Sequence, residues 1–195
     1  MNTYSPKKWD LANLHGISDE TLQIHFGLYE GYVKNTNTIG ERLAEMRQSG
    51  KNSGADPAFA EVQRRLSWEY DGMRLHEYYF DNLTKSATQP SSGKLYDGLG
   101  AAFGGFDAWK KDFAACGAMR GIGWVIAYQD PTNGQIINDW VGDHNVGNLA
   151  GSNPIVVMDV WEHAWFRDYK PAEKGQYVES FLANVNWSAC EARLR

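Results

Sequence analysis

The sequence predicts an α+β fold: a long N-terminal α-hairpin followed by a C-terminal α/β lobe with a three-stranded antiparallel sheet. Three observations carry this. Apolar residues recur at helical spacing through two long stretches between Ser18 and Leu83, parted by a loop of turn formers. At Trp124 the pattern changes to that of strands. A buried-strand run, Ile155-Val156-Val157-Met158, then leads into Asp159 and, one turn of backbone further, His163.

Taken in order, Ser18-Asp19-Glu20 reads as a helix start, an N-cap with acids in the first turn. The helix carries Leu22, His25, Leu28, Tyr29, Tyr32 and Val33, and the spacing of His25, Tyr29 and Tyr32 puts all three on one face. That face reads either as an aromatic core stripe holding one hydrogen-bonded His, or as a metal ligand with phenols on its approach. Asn35 to Asn37 predicts a loosening before the helix resumes at Ile39–Met46, and Gln48 to Pro57 is a loop. A second helix covers about Ala58 to Leu83 with His76 inside it. Two long helices joined by a short loop form an antiparallel hairpin, so His25 and His76 can face one gap.

Ser86 to Gly93 is the joint between lobes, dividing the chain into a helical hairpin domain, 1–88, and an α/β domain, 89–195. Lys94–Phe103 and Phe106–Met119 read as helices separated by Gly104-Gly105. Trp124–Tyr128 reads as a strand, Asp130 to Gly134 as a turn and Gln135–Val141 as its partner. A loop holding His144 leads to the third strand, and Lys174–Leu194 closes the chain as helix.

Composition narrows the classes. The 195 residues are 43% hydrophobic and 22% charged, which describes a globular chain with a real core. A net charge of −5 argues against nucleic acid as the main partner. No apolar run approaches the roughly 20 residues that span a bilayer, and residues 1–8 lack the apolar centre of a signal peptide. Cys116 and Cys190 are too few for a disulfide framework, so a reducing cytoplasm is expected. The eight Trp suit an enclosed site.

A carboxylate at a strand end and an imidazole on the following turn can close on one ion, and iron, manganese and zinc accept such donors. For an isolated Asp-x-x-x-His, a capping Asp and a half-buried His are the commoner explanation. Here the wider stretch Asp159-Val160-Trp161-Glu162-His163-Ala164, followed by the aromatic Trp165, resembles the C-terminal metal-binding signature of the iron/manganese superoxide dismutases. The likeness runs from about Trp9 to Trp187.

The resemblance implies four ligands, His25, His76, Asp159 and His163, holding one Fe or Mn per subunit. It implies disproportionation of superoxide to dioxygen and hydrogen peroxide, in a homodimer or tetramer. It makes Tyr32 the gateway tyrosine, Trp124 and Trp161 walls of the pocket, and Glu162 a bridge to the ligand His of the other subunit. Gly72, four residues before His76, matches the manganese-type pattern. There are departures. His144 stands where that branch has a Gln, and seven residues rather than eight separate His25 from Tyr32, which removes the need for a π-bulge. Leu28 or Tyr29 occupies the place of the second gateway His, and Trp165 that of a tyrosine. The funnel arginine is missing, leaving Lys174 as the candidate for attracting superoxide. Two other classes fit less well: another mononuclear non-haem iron oxidoreductase, which usually keeps two His and one carboxylate, and a non-catalytic interaction module of the same fold.

Overall fold

A computed structural model describes residues 3–195; Met1 and Asn2, the start of the segment read as lacking a signal peptide, lie outside it. Two long helices, α1 (Asp19–Gln48) and α2 (Pro57–Asp81), form the hairpin. Ser18 caps α1, its hydroxyl accepting from Thr21 N at 3.1 Å, and Asp56 caps α2 ahead of Pro57. Each cap is worth about 1 kcal/mol.

The expected loosening at Asn35–Asn37 does not occur, and α1 is α-helical throughout. The polar side chains that would have competed with the helix are engaged elsewhere. Asn37 exchanges two hydrogen bonds with the backbone of Tyr4, and Asn35 donates to Glu69. Thr36 is buried.

Helices α3 (Lys94–Phe103) and α4 (Phe106–Gly117) lead to the sheet, formed by β1 (Trp124–Gln129), β2 (Ile136–Val141) and β3 (Asn153–Asp159). The strand order is β2-β1-β3, antiparallel throughout. The central strand β1 is buried along its whole length. Its register sets Trp124 opposite both Val141 and Asp159, which brings the indole to the end of β3. Gly123 immediately precedes this strand at φ +121°, where a Cβ would lie 2.0 Å from the Val141 carbonyl; only glycine fits.

The C-terminal helix is broken, contrary to expectation, into α5 (Lys174–Ala183) and α6 (Trp187–Glu191). Between them Val185 pairs with Leu83, Asn186 N donates to Asn82 O, and the Asn184 side chain bonds the backbone of His15. These bonds, with Asn82 Nδ2 on Val157 O at 2.7 Å, tie the end of α2 to the sheet. The core is one contiguous cluster from Leu11 to Cys190, including residues of both halves.

Candidate metal centre

Asp159 ends β3 with its three oxygen contacts assigned. Oδ1 accepts from Trp161 N at 2.8 Å, and the main-chain oxygen accepts from Tyr177 Oη at 2.6 Å. Oδ2 is left for the imidazoles: His25 Nε2 and His163 Nε2 each stand 3.1 Å away, and His76 Nε2 stands 3.8 Å away. One ligand atom from each of the four residues lies within 4.8 Å of the others. Bonds of about 2.1 Å to a shared centre would put donors about 3 to 4 Å apart, so small shifts suffice to close the set. His25 comes from α1, His76 from α2, and Asp159 and His163 from the end of β3 and the 3-10 turn Glu162–Ala164. Both halves of the chain therefore contribute.

The protonation pattern suits a cation. His76 Nδ1 lies 2.6 Å from the Gly72 carbonyl, which only accepts, so Nδ1 carries the proton. Burial, reinforced by the neighbouring His25, holds the His76 pKa well below 6.5, and the ring is neutral. Its Nε2 is then a bare lone pair, fully buried, and no donor among the described residues meets it. A buried lone pair facing a carboxylate oxygen is costly as it stands. A metal ion removes that cost.

Burial also lowers the His25 pKa, outweighing the opposite pull of Asp159. For Asp159 itself burial alone would raise the pKa, but His163 and then His25 beside it prevail, and the carboxyl is held far below the usual range. Three imidazoles and one carboxylate sum to −1, which is compatible with a divalent or a trivalent ion. The donor set fits iron or manganese.

Tyr32, His144, Trp124 and Trp161 all stand around this cluster. Trp124 packs edge-on to His76 at 5.0 Å between ring centroids, and Trp161 stacks along His163 at 6.1 Å. Tyr32 lies over His76 at 5.1 Å, its Oη 2.7 Å from His144 Nε2. The room at Gly72 is filled by Tyr32: a Cβ there would meet the phenol ring at 2.6 Å.

Two expected site residues are placed otherwise. The Tyr29 phenol turns from the cluster, accepting from Lys7 N at 2.9 Å and donating to Glu77 at 3.1 Å, so only Tyr32 of the predicted pair approaches the centre. Lys174 Nζ donates to the carbonyls of Met119 and Gly121, anchoring the connection between α4 and β1. Glu162 lies beside His163 on an open cavity of about 790 Å³ whose other walls include Glu20, Ile24, Phe166 and Arg167.

Sequence reasoning missed Trp68, whose ring meets His144 at 4.8 Å and Trp161 at 6.1 Å. Its signal was present: Trp68, Gly72 and His76 follow one another at one-turn steps along α2. It also missed Tyr177, the donor to Asp159 O, and Tyr79, whose Oη lies 3.3 Å from Tyr177 Oη. Nothing local in the sequence marks those two.

The family model described as iron/manganese superoxide dismutases, C-terminal domain, matches residues 91–193. Among curated proteins, the chain is 33% identical over 189 residues to manganese superoxide dismutase 2 of Haloferax volcanii, covering 96% of this chain and 92% of that one. It is 34% identical over 184 residues to the iron superoxide dismutase of Aquifex pyrophilus, covering 93% and 85%. The iron superoxide dismutase of Cupriavidus metallidurans is 32% identical over 187 residues, with 93% and 90% covered. With four donors converging in the structure and likeness along nearly its whole length, this chain belongs to the iron/manganese superoxide dismutase family.

Proposed function

We propose that His25, His76, Asp159 and His163 hold one iron or manganese ion and that the chain disproportionates superoxide there to dioxygen and hydrogen peroxide. The observation that carries the reading is the bare, buried Nε2 of His76 aimed at the oxygen that His25 and His163 also face. A bound ion supplies the one-electron exchange, alternating between its divalent and trivalent forms.

The protein's own residues supply the rest. Gly72 O and Trp161 N fix the orientation of His76 and Asp159. Trp124, Trp161 and Trp68 narrow the chamber to small molecules. Tyr32, its pKa pushed up to about 12 by burial and then by Asp159 and Glu69, keeps its proton at neutral pH. It is a proton donor placed against the ligand His76. Relatives named for manganese and for iron are equally similar, so either metal serves the reading.

We also read the protein as a cytoplasmic homodimer whose subunits meet at Glu162 and His163. His163 is the one ligand whose side chain is partly exposed, at 19%, and Ile24 and Phe166 beside the same cavity are about half exposed. Both cysteines are free, and no helix among the described residues is long and apolar enough to cross a membrane. Metal analysis with a superoxide-decay assay on wild type and His163→Ala tests the function. Metal-loaded wild type that leaves superoxide untouched would favour a different iron oxidoreductase, whereas stable, metal-free, inactive protein would favour an interaction module.

A further inference from the structure

An anion approaching this acidic chain needs a local cation. The open cavity at His163 offers one that is outnumbered by carboxylates. It presents Glu20, Glu162 and Asp168 against a single guanidinium, Arg167, which is paired with Glu20. Lys174 is anchored to two backbone carbonyls at the connection between α4 and β1.

The other side of the cluster is different. There Tyr32, Trp68 and Trp161 are half-buried around His144. Arg65, one turn before Trp68 on α2, sets its Cζ 5.6 Å from the centre of the Trp68 ring. Glu69 holds it there at 2.7 Å. Glu69 is 2% exposed and also accepts from Asn35, whereas the Arg65 side chain is 53% exposed. The pair is therefore a dipole with its carboxylate inside and its cation outside. Asp143, next to His144, and the buried Asp159 are further anionic groups on this side.

We propose that Arg65 is the anion guide of this enzyme: its guanidinium, pinned over Trp68 by Glu69, draws superoxide to the Trp68–His144–Tyr32 side of the centre. The idea rests on the dismutase reading for its substrate, but its central claim, that a small anion gathers at Trp68, can be measured without turnover.

Superoxide decay followed against ionic strength is the first measurement. Arg65→Gln is expected to lower the second-order rate constant about two- to five-fold at low salt and to flatten its salt dependence. Arg65→Lys should keep most of both, and Lys174→Gln should change neither. Because Arg65→Gln leaves a buried carboxylate unpartnered, the double variant Arg65→Gln/Glu69→Gln carries the same expectation without that charge. The second measurement is quenching of Trp68 fluorescence, taken as the difference between wild type and Trp68→Phe, by iodide and by neutral acrylamide. Arg65→Gln should reduce iodide quenching and leave acrylamide quenching unchanged. Unaltered iodide access, or unaltered salt dependence at full metal content, overturns the guide. Wild type that is inert toward superoxide, yet loses iodide access with Arg65, would sink the dismutase reading and leave the anion site standing.

Discussion

Trp124 Nε1 donates to His144 Nδ1 at 3.1 Å, and this bond sets the direction of the hydrogen bonds that reach Tyr32. An indole N–H only donates, so Nδ1 is the acceptor. Burial lowers the His144 pKa to about 4, which leaves the ring neutral with its one proton on Nε2. That nitrogen donates to Tyr32 Oη at 2.7 Å, and the phenol's own proton stays available for an anion at the centre.

Removing the lock therefore has a definite consequence. Trp124→Phe is expected to slow superoxide decay about three- to ten-fold, and His144→Ala to slow it more, toward the hundredfold range of a lost general acid or its support. Either change should cost about 1–2 kcal/mol of stability through the broken hydrogen bonds. Rates measured at matched metal content decide it; a Trp124→Phe enzyme as fast as wild type would mean the tautomer is set elsewhere.

The four donors predict a large difference between loaded and metal-free protein. Stripped of its ion, the chain keeps a buried carboxylate and an unpartnered imidazole lone pair at the seam of α1, α2 and β3. Binding that favours the native state adds about 4 kcal/mol at a free-metal concentration of a thousand times Kd. Chelator-treated protein should unfold at distinctly lower urea than reloaded protein. Asp159→Asn or His76→Ala should abolish that difference and bring metal content close to zero.

The convergence of these four donors was legible because they sit where short-range patterns are strong. Asp159 and His163 follow a β-branched strand, and His25 and His76 lie on helices whose apolar spacing is regular. The role of Tyr29 was not legible, because helical spacing gives a face but not what is packed against it; Glu77 and the N-terminal arm claim that phenol. The placement of Lys174 was hidden for the same reason: charge is visible in sequence, but the two carbonyls that fix its ammonium are about 55 residues away, a separation that no local pattern reports. The break between α5 and α6 depends on Leu83 and on His15, the latter 169 residues from its partner Asn184 and so farther still along the chain.

Gly72 offers a case in which two energies compete. Alanine in a helix interior is favoured over glycine by about 1 kcal/mol. At Gly72, however, a Cβ would stand 2.6 and 2.8 Å from Tyr32 ring carbons, and overpacking of this kind costs about 1–3 kcal/mol. Gly72→Ala should therefore be destabilising or at best neutral, and should slow superoxide decay by displacing Tyr32 from His144. At Gly27, on α1, nothing lies within 4 Å of the added Cβ, so Gly27→Ala should gain stability. Urea midpoints of the two variants, moving in opposite directions, would bear out the reading.

Asp71 gives the fold a pH dependence of its own. Burial raises its carboxyl pKa to about 6, and the side chain has no ion pair among the described residues to offset this. In the unfolded chain the group titrates near 3.8, so between these values the native state binds the extra proton. Stability contributed by the protonated form is therefore complete below about pH 4 and lost as pH rises through about 6. The shift corresponds to at most about 3 kcal/mol, and screening of a half-exposed group reduces it to about 1 kcal/mol. Asp71→Asn should leave stability unchanged at pH 4 and raise it by that amount at pH 7.5. Other titrating groups cancel in the difference between the two proteins, so urea midpoints at the two pH values isolate this carboxyl. An equal difference at both would show that its ionisation costs the fold nothing.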